Sequence, residues 1–160
     1  TMIGFLKGID DVPLFWIEEP FHETVADWTR LKDYLVAGDR KETLRADGEA
    51  QPDFPVLEEL QRDHTLNVRL EDICGHGFTK WRRQMPQLTK QGIGVSPHTW
   101  GTALKTVYTA HFVGAYGNAP TVEGVTTQGG DVDFGENKII NAQFHPSSQP
   151  GFGLSLPTLQ

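Results

Sequence analysis

Five residues able to do chemistry recur along the chain at an almost even interval. Glu18, Glu49, Asp72, His98 and Glu123 are separated by 31, 23, 26 and 25 residues. Each stands at the end of a short apolar run, and an amphipathic run follows each of the first four. Each interval is the length of one strand, one helix and their two connections. That alternation is the signature of βαβ units and a parallel sheet. Consecutive strands of such a sheet point the same way. Side chains at their ends therefore gather on one rim, the C-terminal face, where (β/α) barrels carry their active sites.

The runs themselves are legible. Residues 13–17 read as a buried strand closed by Glu18, Glu19 and Pro20. Thr24 reads as a helix N-cap, with Asp27 three residues on. Val25, Trp28, Leu31 and Leu35 then follow at helical spacing, and Gly38 is the stop. Further strands are expected at 43–46, 67–71, 93–97 and 121–125. Asp53 is expected to cap a helix whose apolar face is Val56, Leu57 and Leu60. Another helix starts near Gly77 on Phe78, Trp81, Met85 and Leu88, with Pro86 expected to kink or restart it. The clearest helix carries Leu104, Val107, Tyr108, Phe112 and Ala115 on one face. From Thr126 the periodicity fades, and residues 126–160 read as an irregular or hairpin-like tail packed on the domain.

Composition narrows the partners. Apolar residues make up 38% and charged residues 22%, a globular balance. With 21 acidic against 14 basic residues, the net charge of −7 argues against a nucleic-acid surface. No run approaches about 18 consecutive apolar residues, so a membrane-spanning helix is not expected. The start does not read as a signal peptide. Cys74 is the single cysteine, which excludes an intrachain disulfide and a thiolate zinc cage. A reducing, cytoplasmic location fits. No Gly-x-Gly-x-x-Gly follows the first strand and no phosphate loop is present, which disfavours a nucleotide fold.

The chemistry suits the residue types. Carboxylates at neighbouring strand ends can hold a hard divalent cation such as Mg2+. Such an ion stabilises the enediolate formed when a proton leaves the carbon next to a carboxylate. Histidine has the range to accept or donate that proton, and an adjacent Asp can fix its tautomer.

Here the sequence resembles the enolase superfamily, in its mandelate racemase/muconate lactonizing branch. Phe15 through Pro20 (Phe-Trp-Ile-Glu-Glu-Pro) resembles the Glu-Glu-Pro motif, and Ala46 through Glu49 the next metal-ligand motif. Asp72 through Thr79 resembles the segment carrying the Asp of a His–Asp dyad, and Ser96 through His98 the segment carrying its His. Thr121 through Glu123 resembles the eighth-strand motif, and Gly151 through Ser155 the closing Gly-x-Gly segment. The match runs from about residue 10 to about residue 155.

The resemblance implies roles. Glu18 and Glu49 would ligate Mg2+. His98 would be the general acid/base with Asp72 as its partner. Glu123 would sit near the substrate carboxylate and stabilise the developing oxyanion. Two neighbours pose a register question, Glu19 beside Glu18 and Glu71 beside Asp72, and the motifs favour Glu18 and Asp72. The implied activity is Mg-dependent abstraction of a proton alpha to a carboxylate, with dehydration of a sugar acid as the leading outcome and racemisation or epimerisation of a 2-hydroxy acid as an alternative.

A closed (β/α)8 barrel needs about 200–250 residues. The expected fold is therefore the C-terminal part of a TIM-type barrel, about five parallel strands alternating with helices, over residues 1–160. In family terms the chain starts near the end of the third helix. The capping domain, a second-strand Lys and the third-strand metal carboxylate would lie outside it. The expected partners are a small carboxylate substrate and either another copy of the chain, through open sheet edges, or the N-terminal part of a longer parent. A catalytically incompetent fragment or assembly module is the competing reading.

Overall fold

The computed structural model describes residues 1–124 and 134–154. A short helix, α1 (Met2–Gly8), opens the chain, with the Thr1 hydroxyl accepting from the Gly4 N–H at 3.3 Å. Four strand–helix units follow: β1 (Trp16–Glu18) and α2 (Val25–Ala37), β2 (Leu44–Asp47) and α3 (Phe54–Arg62), β3 (Val68–Arg69) and α4 (Phe78–Lys90), β4 (Gly94–Val95) and α5 (Ala103–Gly114). The strands form one parallel sheet in the order β1-β2-β3-β4. Trp16 pairs with Leu44, Ala46 with Val68, and Val68 with Gly94.

Local chemistry sets the helix bounds. Thr24 caps α2 by accepting from the Asp27 N–H at 3.1 Å, and its own hydroxyl donates to Asp27 Oδ2 at 2.8 Å. Asp53 caps α3 through the Val56 N–H at 3.2 Å. α4 continues through Pro86 as one helix, so the helix does not restart there. Pro86 lies on the exposed side of α4, where water can take the carbonyl that its missing N–H leaves free.

The fifth expected strand is a correction. Residues 121–124 join no ladder, and Val125 lies outside the described residues. The segment still flanks β4. Val95 N–H donates to Asn118 O at 3.1 Å, and Ser96 Oγ to Thr121 O at 3.1 Å. Pro120 has no N–H to donate, and it packs on Gly94, where a Cβ would come within 3.3 Å of Pro120 Cδ. The contact is thus made by side chains and isolated bonds.

The two sheet faces differ. Ile17 and the helices α1, α2 and α3 bury Leu6, Trp28, Leu31, Leu35, Leu57 and Leu60 in one core. Trp81, Met85, Leu88, Val95, Phe112 and Val113 form a second under α4 and α5. On the opposite face Ala46, Val68 and Leu70 are buried, with Trp16 and Leu44 only partly covered. That face is the side a closed barrel would fill. Further on, β5 (Lys138–Ile140) and β6 (Gln143–His145) make an antiparallel hairpin, with Asn141 and Ala142 both at positive φ as a two-residue turn of the I′ type requires. Phe152 then rests against Phe78, Tyr108 and His111.

Candidate active site

The parallel register carries Glu18, Glu49, Asp72 and His98 past the same ends of β1 to β4, so they meet on one rim. The interaction at its centre is made by His98. Its Nδ1 lies 3.2 Å from Asp72 Oδ2, and its Nε2 lies 3.0 Å from Glu49 Oε1. Both ring nitrogens thus face carboxylate oxygens. Glu123 reaches the same point from the segment beside β4. Its Oε2 accepts from the Thr99 N–H at 2.7 Å, and its backbone carbonyl accepts from the Thr99 and Thr106 hydroxyls at 3.0 and 3.2 Å.

At β1 the two neighbouring glutamates go to different places. Successive residues of a strand face opposite ways. Glu18 faces the rim, where Glu123 and Glu49 act on it. Glu19, at a positive φ of 37°, turns to the next loop. Its Oε1 accepts from three N–H groups, those of Gly48 at 3.3 Å, Glu49 at 2.6 Å and Ala50 at 2.9 Å. At β3 the same alternation separates Asp72 from Glu71. Glu71 is buried and ion-paired with Arg69, whose other terminal nitrogen donates to Gln61 of α3 at 2.7 Å. It faces the helices, away from His98.

Electrostatics divide the rim. Burial raises the Glu18 carboxyl, Glu123, Glu49 and Glu19 raise it further, and His98 opposes them. Burial also raises Glu49, with His98 opposing and Glu19, Glu123 and Asp72 adding to the rise. Beneath them Asp47, 2% exposed, is pushed up to about 7 by burial, against a hydrogen bond from Trp28 Nε1 at 2.9 Å. Asp72 behaves oppositely. Burial would raise it, but Lys105 Nζ and the N–H groups of Gly75 and Cys74 donate to it and hold it below the ordinary carboxylate range.

Sequence reasoning missed Lys105 and Thr99, and it weighed Glu19 only as an alternative to Glu18. Lys105 carried a signal. It stands in the first turn of α5, where the helix dipole disfavours a cation, and the Asp72 carboxylate is the compensation. Lys105 Nζ also donates to the Trp100 carbonyl at 3.0 Å, which ties down the loop after His98.

The donor set fits a hard divalent cation. Glu18 and Glu49 are both raised first by burial and then by neighbouring carboxylates, Glu123 and Glu19 acting on each, so the rim is short of positive charge. One ligand atom each from Glu49, His98 and Glu123 lie within 4.8 Å of one another. Glu18 stands outside that trio, although its charge is felt by it.

Comparison with known proteins gives the family. The family model for enolase C-terminal domain-like proteins matches residues 1–158. A galacturonate dehydratase from Geobacillus sp., solved with D-galacturonate and 5-keto-4-deoxy-D-galacturonate, is 30% identical with a TM-score of 0.79. The alignment covers 96% of this chain and 41% of that one. A mandelate racemase/muconate lactonizing protein from Geobacillus sp. Y412MC10, solved with magnesium and tartrate, is 29% identical with a TM-score of 0.81, covering 98% and 40%. A mutant of the galacturonate dehydratase solved with Mg is 31% identical with a TM-score of 0.80, covering 96% and 39%. No curated protein sequence matches. The chain spans about 40% of the length of the solved relatives it resembles. With the parallel half-barrel and the rim of carboxylates around one histidine, these likenesses establish that the chain belongs to the enolase superfamily, in its mandelate racemase/muconate lactonizing enzyme branch, as part of the C-terminal barrel domain.

Proposed function

We propose that this chain supplies the acid/base half of an Mg-dependent lyase that removes the proton alpha to the carboxylate of a sugar acid and dehydrates it. The observation that carries the reading is the line Asp72–His98–Glu49, with contacts of 3.2 and 3.0 Å, beside Glu123. The sugar-acid class is supported by the galacturonate dehydratase relative.

In this reading Glu18 and Glu49 would hold Mg2+. The bound ion would neutralise the substrate carboxylate and stabilise the enediolate. His98 removes the alpha proton at Nε2. Asp72 accepts the Nδ1–H and orients the ring, and Lys105 together with two backbone N–H groups keeps Asp72 ionised for that task. Glu123, anchored by Thr99, lies where charge develops on the substrate carboxylate. The C–H bond breaks and its electrons enter the enediolate. The carbon–oxygen bond at the beta carbon then breaks, the leaving hydroxyl takes the proton now on His98 Nε2 and departs as water, and the resulting enol tautomerises to a 2-keto acid. Proton transfer of this kind contributes about 10²–10⁴-fold.

Activity belongs to a longer assembly in this proposal, because relatives of the chain are more than twice its length. No helix among the described residues is long and apolar enough to cross a membrane. The test is exchange of the alpha proton with solvent deuterium, followed by NMR in the longer protein over a panel of sugar acids. His98→Asn is expected to abolish exchange on the face of the substrate that His98 serves. Full exchange on that face in the variant would remove His98 from the mechanism.

A further inference from the structure

The magnesium reading draws on carboxylates alone, yet the rim presents a second donor set that includes a nitrogen. Glu49 Oε1 and His98 Nε2 are 3.0 Å apart, and Glu123 brings the trio of ligand atoms within 4.8 Å. Ligands about 2.0–2.1 Å from a tetrahedral zinc ion stand about 3.3 Å from each other. The first pair already has nearly that spacing, and the third atom needs a small side-chain movement.

Each of the three is also held from behind. His98 Nδ1 faces Asp72 Oδ2 at 3.2 Å, the carboxylate–histidine arrangement that leaves Nε2 free to ligate. Glu123 Oε2 accepts from the Thr99 N–H at 2.7 Å. The Glu49 turn is fixed by the three N–H bonds to Glu19. A histidine backed by a carboxylate is a mark of a metal ligand that an acidic patch alone does not carry.

We propose that Glu49, His98 and Glu123 form a binding site for a borderline divalent cation of the zinc and cobalt type, different in donor set from the magnesium site. Magnesium demands oxygen donors in near-octahedral geometry and keeps much of its water. An imidazole nitrogen suits zinc and cobalt. The ion takes the place of the proton between Nε2 and Glu49 Oε1. Glu49 is common to both sites, so the two ions exclude each other. Resting on the function proposed above, the consequence is inhibition: the ion occupies Nε2, the atom that removes the substrate proton.

The test is titration of the 160-residue chain with Co2+, read by its visible absorption, and with Zn2+ and Mg2+ by calorimetry. One Co2+ per chain is expected, at least about 100-fold tighter than Mg2+. His98→Gln is expected to weaken Co2+ and Zn2+ by about 10–100-fold or more and to leave Mg2+ within about threefold. Asp72→Asn is expected to weaken Co2+ by about 10-fold through the ring it orients. If the variants do not fold, the unmutated chain gives the answer: Zn2+ must move the 15N resonance of His98 Nε2. Equal Co2+ affinity with and without the imidazole, or an Nε2 resonance that Zn2+ leaves in place, overturns the proposal. Neither result bears on alpha-proton exchange in the longer protein, so this site and the proposed reaction can fail separately.

Discussion

The two halves of the rim solve the same electrostatic problem in opposite ways. On the β3–β4 side, Asp72 is half-buried and carries a lysine, two backbone N–H groups and an imidazole, and its carboxyl titrates below the ordinary range. On the β1–β2 side, Glu18 and Glu49 are comparably buried but face other carboxylates, and both titrate above it. Burial is the largest influence on all three groups. The local partners decide the sign. One half is complete within the chain, and the other calls for a cation.

The sharpest way to break that contrast is Asp72→Asn in the longer protein. It removes the charge that Lys105 pairs with and offers His98 a group that can donate as well as accept. A wrong tautomer at such a dyad lowers kcat by up to about 10⁴-fold, and the expected loss here is about 10³–10⁴-fold at unchanged far-UV circular dichroism.

Asp47→Asn tests the acidic half by stability. The folded value of about 7 lies above the ordinary 3.8, so the folded state keeps a proton that the unfolded chain gives up. The stability this contributes is fully present below about pH 4 and is lost as pH rises through about 7. The neutral Asn does not lose it. Unfolding free energies of the two forms from urea titration should therefore diverge between about pH 4 and 7, by of the order of 4 kcal/mol in favour of the variant at pH 8. A constant difference across that window would show that Asp47 titrates normally.

Lys105→Met probes the compensated half more gently. It is expected to raise the Asp72 carboxyl toward the ordinary range and to lower kcat by about 10–100-fold, with KM little changed. An Arg at the same position should recover part of that loss. The smallest effect expected is that of Trp28→Phe. It keeps most of the fully buried packing and removes the N–H bonded to Asp47 at 2.9 Å. The cost in thermal or urea unfolding at pH 7 should be about 1–2 kcal/mol.

How much of this was legible varies with the range of the interaction. The helices α2 and α3 were readable because their signals are local: Thr24 and Asp53 cap through N–H groups three residues away. The gathering of Glu18, Glu49, Asp72 and His98 was readable because chain direction and interval suffice in a parallel sheet. The strand at 121–125 was over-read. Val122 fits the pattern, but Pro120 and the pairing geometry along Gly94 are not periodic signals. Lys105 bonds to Asp72 across 33 residues, and no pattern in a single sequence links them.

By itself the sequence determined the order of elements, the side of the sheet on which the reactive groups meet, and the residue types placed there, because hydrophobic period, capping and chain direction act within one or two turns or one strand. Only the tertiary structure decided which oxygen meets which nitrogen. It sent Glu19 to the backbone of the next loop and Glu71 to Arg69, gave Asp72 a lysine, and left Glu18 and Glu49 half-buried among other carboxylates. Those outcomes depend on side-chain directions and burial summed over segments far apart in the chain, and at distances near 3 Å a small rotation changes the partner.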